Sequence, residues 1–243
     1  MQINIGGHWV EEIPVPLGQF NTVHMDTLIT AWLAMAICIV TALLITKNLN
    51  RIPSKVQVVA EALMKFLDNI SVSQMGKEGI KHTPLIGSLF LFILAGNLIV
   101  NLPLNMIHLK DGEFASPTND LNTTVALALL VSIYYFGAGI WKKGFSYFKH
   151  YFKPFPLLAP LNFLEDITRP LSLSVRLFGN ILAGEVVIGV LIVFLFLFKF
   201  LIPITSVFII IMVLFELFVA VIQAFIFSVL AASYVAAATS EDH

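Results

Sequence analysis

Two apolar stretches, residues 161–200 and 204–238, follow one another with little more than Pro203 between them. Each is longer than the ~20 residues an upright helix needs to cross a hydrocarbon core. Inside lipid the backbone has no water to pair with, so a spanning segment is a helix or part of a closed barrel. As helices, about 35 to 40 residues at ~1.5 Å each extend ~50–60 Å, well beyond the core thickness. Such helices must tilt strongly or run partly along the membrane. A long tilted hairpin turning at Pro203, with Lys199 near the turn, is the simplest arrangement.

Three further segments, 27–46, 84–107 and 123–140, have the length and apolarity of ordinary spans. With 58% hydrophobic and only 12% charged residues among 243, the chain is not a soluble globular protein. The expected fold is an all-α polytopic membrane protein, 1–243 forming one membrane domain with about five embedded helices. A net charge of −1 gives no basis for nucleic-acid binding, and the lone Cys38 excludes an intrachain disulfide. The first 25 residues lack Lys and Arg and contain Glu11 and Glu12, unlike the basic start of a cleaved signal peptide. Residues 1–26 are therefore expected to persist as a short polar tail.

Lys and Arg accumulate in cytoplasmic loops. Lys47, Arg51, Lys55, Lys65, Lys77 and Lys81 occupy the first loop, and Lys142, Lys143, Lys149 and Lys153 the third. The second loop sets Lys110 against Asp111, Glu113 and Asp120. The first and third loops are thus expected inside, and the N-terminal tail and second loop outside. Within 53–74, Val56, Val59, Ala60, Leu63, Phe66, Leu67 and Ile70 recur at helical spacing among charged positions. That pattern predicts an amphipathic helix lying on the cytoplasmic surface, or a soluble capping helix in the blander alternative.

Arg176 lies deep in the first long stretch. Arginine stays protonated at biological pH, and a charge at the centre of a lipid-exposed helix costs at least ~2.5–3.5 kcal/mol. Glu165 lies four residues before Arg169, the favourable direction for an intrahelical ion pair, and Pro170 follows. Glu165 is ~16 Å along the axis from Arg176, too far to neutralise it. Asn180, one turn after Arg176, can hydrogen-bond a carboxylate or water, or alternatively a neighbouring helix. Glu185 is nine residues after Arg176, about 180° around the helix. It can line a separate aqueous path, or be a capped or snorkelling acid. Glu216 and Gln223 lie seven apart on one face, ~10 Å along the axis. This polar stripe must face protein or water rather than lipid. Gly179, Ala183, Gly184, Gly189, Ala220 and Ala224 permit close helix approach, which packing alone also explains.

Arg176-Leu177-Phe178-Gly179-Asn180, then Ala183-Gly184-Glu185, and Gln223-Ala224-Phe225-Ile226-Phe227 resemble subunit a of the F-type rotary ATP synthase. The likeness extends to residues 117–124, the Lys142-Lys143-Gly144 loop and residues 165–170, so it covers nearly the whole chain from about residue 27. The acidic second loop and residues 117–124 are most similar to cyanobacterial and chloroplast versions.

This resemblance implies a stator proton-channel subunit, not itself an enzyme, whose tilted hairpin packs against a rotating ring of c subunits, each with one carboxylate. Its partners are then the c-ring, the b subunits of the peripheral stalk, the rest of the ATP synthase and the lipid bilayer. Neither a cofactor nor a metal is implied. The family arginine maps onto Arg176, which attracts the deprotonated ring carboxylate and separates two aqueous half-channels. Channel-lining residues map onto Asn180, Glu185, Glu216 and Gln223, with Asp120 a further candidate near the channel mouth. Some relatives have histidine at one of the two acidic positions, where this chain has glutamate at both. On this resemblance, protons enter from the non-cytoplasmic side past Glu185 and Glu216 and neutralise a ring site, which releases its proton on the cytoplasmic side after nearly a full turn. The lack of a leader favours a bacterial cell membrane, with a thylakoid membrane as the alternative.

On the residues alone, a secondary transporter binding an anion at Arg176 remains an alternative. It predicts broken helices and paired repeats, and none is visible. A membrane-embedded hydrolase would need ligands such as His24, His82, His108 and His150, which are scattered and lack a His-Glu-x-x-His spacing. A scaffold leaves Arg176 unexplained.

Overall fold

The computed structural model describes residues 10–12, 22–47, 49–101, 116–144, 147, 157, 159–198, 200 and 202–240. Six α-helices account for most of them: α1 Met25–Thr46, α2 Lys55–Met75, α3 Thr83–Asn101, α4 Leu121–Lys143, α5 Ala159–Leu197 and α6 Ile202–Thr239. Among the described residues four helices are long and apolar enough to cross a membrane, α1, α4, α5 and α6, and α3 contributes a shorter apolar helix. The fold is that of an all-α polytopic membrane protein, with one small addition before α1. Strands β1 Val10–Glu12 and β2 Thr22–His24 pair antiparallel, Val10 opposite His24 and Glu12 opposite Thr22.

Local chemistry sets several helix ends. Ser54 caps α2, its side chain accepting from the Gln57 amide at 3.3 Å. Gly76 ends that helix at φ 64°, a left-handed conformation that costs glycine little, while its N–H pairs with the Val72 carbonyl. A 3-10 segment, Gly76–Lys81, leads into α3, where Pro84 sits in the first turn and forfeits only an N–H that has no partner within the helix. Lys142 and Lys143 in the last turn of α4 complement the negative end of its dipole. The α5 and α6 helices have 39 and 38 residues, ~57 Å each, nearly twice a ~30 Å hydrocarbon core. Pro170 lies inside α5, which remains helical through it.

The end of the expected 84–107 span, the second-loop residues Lys110, Asp111 and Glu113, and Lys149, Lys153, Lys199, His108 and His150 lie outside the described residues. So does most of the expected N-terminal tail.

Contacts group the chain into two compact units, the first comprising Met1–Val40, Phe92–Asp120 and Phe178–Gln223. Its buried residues include Thr30 and Ala34 of α1, Ile93, Asn97 and Ile99 of α3, Ser116 and Thr118, and Ala220 and Gln223 of α6. The interior is unusually polar for helices this apolar.

The second unit comprises Thr41–Leu91, Leu121–Leu177 and Ala224–His243. Its interior is formed by Leu67 and Ile70 of α2, Ile86, Leu89 and Phe90 of α3, Ala128, Val131 and Tyr135 of α4, and Leu173 and Leu177 of α5. From α6 it takes Ala224, Phe227, Ser228, Ala231, Ala232 and Val235, mostly small residues repeating every three or four positions on one face. Water does not drive association within lipid, so close backbone approach across small residues is the available packing force. At one edge Lys142 pairs with Glu78 at 2.8 Å, and His82 Nδ1 lies 2.9 Å from the Tyr134 hydroxyl.

Candidate functional site

Asn180, Glu185, Glu216 and Gln223, singled out separately along two helices, meet in the first unit. Asn180 Nδ2 on α5 donates to Gln223 Oε1 on α6 at 2.7 Å. Gln223 is only 2% exposed, so its amide oxygen depends on this donor. One turn along α5 from Asn180, Gly184 lies beneath the Glu216 side chain. A Cβ there would overlap the Glu216 carboxylate and come within 3.2 Å of its Cγ. The absent side chain of Gly184 is what admits Glu216.

A cavity of about 30 Å³ lies beside these groups, lined by Asn97, Ser116, Asn180, Ile181, Glu185, Glu216 and Val219. That is room for a water or two, with several polar partners to hold it. Glu185 and Glu216 therefore line one cavity. Glu185 Oε2 accepts from Asn119 Nδ2. Among the described residues no side chain hydrogen-bonds the Glu216 carboxylate, which leaves it open to water or to a group of another chain.

Asn97, Ser116, Thr118 and Asn119 extend the polar surface and were not anticipated from the last two helices. Ser116 Oγ lies 3.2 Å from Asn97 Oδ1 and 2.8 Å from Thr118 Oγ1, and Thr118 Oγ1 donates to Asn97 Oδ1. All three side chains are buried. A signal existed: Asn97 is an amide in the middle of an apolar run of α3, where a polar group needs a hydrogen-bond partner. Asp120, the further candidate, is buried, with its Oδ2 2.8 Å from His24 Nδ1. It stands at the head of α4, next to the Asn119 that contacts Glu185.

Arg176 belongs to the second unit and is exposed. Its Nη2 donates to the Ser172 hydroxyl one turn earlier, at 3.5 Å. Among the described residues no carboxylate lies within ion-pair distance of it. Arg169 behaves in the opposite way. Its Nη2 pairs with Glu165 at 2.6 Å, its Nη1 with Asp166 at 3.4 Å, and the guanidinium lies 5.5 Å from the centre of the Tyr234 ring. The anticipated Glu165–Arg169 pair is formed, and it accounts for one arginine of α5 and not for Arg176.

No group of three or more His, Cys, Asp or Glu side chains suited to a metal occurs among the described residues. The first unit thus holds exchangeable carboxyls, amides and hydroxyls around water-sized space; the second, taken by itself, carries a fixed cation on an apolar helix. A family model described as ATP synthase A chain matches residues 28–236, which takes in nearly all of α1 to α6 and, His24 apart, these polar groups. The chain belongs to that family, and is a proton-translocating, multi-pass subunit of the membrane sector of ATP synthase.

Proposed function

We propose that the chain is the stator half of a rotary proton pathway, loading and unloading protons on the carboxylates of a c-ring through two aqueous half-channels. The observation that carries this reading is the state of Arg176, an exposed cation on an apolar helix whose only side-chain partner among the described residues is a serine hydroxyl. Such a charge is stabilised when an anion is brought to it in a medium of low dielectric. A deprotonated ring carboxylate supplies that anion on another chain.

Glu185 and Glu216, sharing a cavity with Asn97, Ser116 and Asn180, suit the path by which protons reach the ring. Gln223 and Asn180 hold α5 and α6 together at that level, and Asp120 beside His24 stands toward the mouth of the path. A neutralised ring site can enter lipid, whereas a charged one is retained by Arg176. A proton passing directly between the half-channels would have to approach the arginine as cation to cation, which keeps the two paths separate. The transmembrane potential contributes ~2.3 kcal/mol per charge per 100 mV, so several protons are needed for each ATP. The subunit itself makes no covalent bond. Its partners are the c-ring, the b subunits of the peripheral stalk and the surrounding lipid, in a bacterial cell membrane or, as the alternative, a thylakoid membrane.

The test is Arg176→Ala in the complete complex reconstituted into vesicles. Assembly is expected to survive and proton-driven ATP synthesis to disappear. Normal synthesis by that variant would refute the mechanism.

A further inference from the structure

Within the second unit, α5 carries Arg176 six residues after Pro170. Proline has no N–H, so the helical hydrogen bond to the Asp166 carbonyl, four residues earlier, cannot form. The Tyr135 hydroxyl on α4 donates to that same carbonyl, at 3.4 Å. Tyr135 is completely buried and packs edge-on against Tyr234, with ring centres 6.2 Å apart, while Tyr234 carries the Arg169 guanidinium on its face. Two residues before Arg176, Ser174 Oγ lies 3.2 Å from Thr124 Oγ1, also on α4. Both of these hydroxyl-bearing residues are buried. Thus α4 engages α5 on either side of the proline, once before it and once after it.

We propose that Tyr135 and Thr124 are positioning residues for Arg176, holding the height and rotation of the α5 segment that presents it. A helix lacking a hydrogen bond at a proline is a natural hinge. One residue of slippage moves a side chain ~1.5 Å along the axis and ~100° around it. A displacement of about 1 Å at a reacting group can cost ~100-fold in rate. The two hydroxyl contacts oppose such slippage, one by giving the Asp166 carbonyl a donor from a neighbouring helix, the other by tying the turn that leads into the arginine. Arg169 adds to the same hold through Glu165, Asp166 and Tyr234. This inference rests on Arg176 being the ring-facing charge.

The decisive experiment is a double-mutant cycle of Tyr135→Phe and Pro170→Ala in the reconstituted complex. ATP synthesis and passive proton leak are both measured per assembled complex. Tyr135→Phe keeps the buried ring and removes the hydroxyl. Its synthesis is expected to fall about threefold to tenfold, the kinetic equivalent of one hydrogen bond, while leak rises. Pro170→Ala restores an N–H for the Asp166 carbonyl, so in that background Tyr135→Phe is expected to change synthesis less than about twofold. An equal loss in both backgrounds, or a loss confined to the amount of assembled complex, overturns the inference. If Tyr135→Phe fails to assemble, Thr124→Ser against Thr124→Val decides, with synthesis kept by the first and lost by the second; equal synthesis overturns the inference. An Arg176→Ala arm separates the two readings. Full synthesis there refutes the role of the arginine itself, whereas abolished synthesis with an uncoupled cycle refutes only the positioning.

Discussion

Asn180 donates to Gln223 across 2.7 Å, joining two residues 43 positions apart in the chain. The bond is unequal in its consequences, because Gln223 is buried and Asn180 lies at the surface of α5. Asn180→Ala leaves a buried amide oxygen without its donor and is expected to cost about 1–3 kcal/mol. Gln223→Leu replaces the buried amide with an apolar group of similar size and should cost less. Thermal unfolding of the purified protein in detergent measures both, and the reverse order would contradict this account.

Gly184 and Glu216 make a tighter constraint. The overlap that Gly184→Ala introduces falls on the end of a flexible side chain, so stability should change little while the carboxyl is displaced. Passive proton conduction through vesicles stripped of the catalytic sector is expected to slow severalfold. Glu216→Asp shortens the acid by one methylene, and in the Gly184→Ala background it should recover part of the lost conduction. Conduction unaffected by Gly184→Ala would mean that the position of this carboxyl is unimportant.

Glu185 and Glu216 line the same cavity, so they are expected to act in one path. Glu185→Gln and Glu216→Gln should each slow passive conduction, and the double variant should be little slower than the worse single one. Fully multiplicative effects would place them in independent steps, and unchanged conduction in both would remove them from the path.

His82, in the turn between α2 and α3, is held below the usual histidine range, first by burial and then by Lys81, with Lys142 adding to this and Glu78 opposing it. A depressed base binds fewer protons folded than unfolded. Its contribution to stability is therefore present above the ordinary value of 6.5 and is lost as pH falls through the lower folded value. The unfolding temperature is expected to drop between pH 7.5 and 5, and His82→Gln should flatten that drop. Glu78, drawn below the usual carboxylate range by its hydrogen bond to Lys142, contributes in the same direction only at more acid pH. A His82→Gln profile parallel to that of the parent chain would assign the acid sensitivity elsewhere.

The helices were legible because each is specified by properties of a continuous segment. Apolar run length and the helical spacing of apolar residues in α2 are local signals, and lipid leaves the backbone no alternative to pairing with itself. Arg176 could be singled out for the same reason, since the cost of a charge in an apolar helix does not depend on its neighbours. Helical periodicity placed Glu216 and Gln223 on one face of α6, but it fixes angles around one axis and says nothing of what stands opposite. That Asn180 reaches Gln223, that Gly184 makes room for Glu216, that Asn97 and Ser116 join the cavity and that Asn119 reaches Glu185 depended on how separate helices pack. Tyr135 was hidden for a related reason: as a residue it suits a buried apolar helix, and its hydroxyl acquires a purpose only when it meets the carbonyl that Pro170 cannot serve.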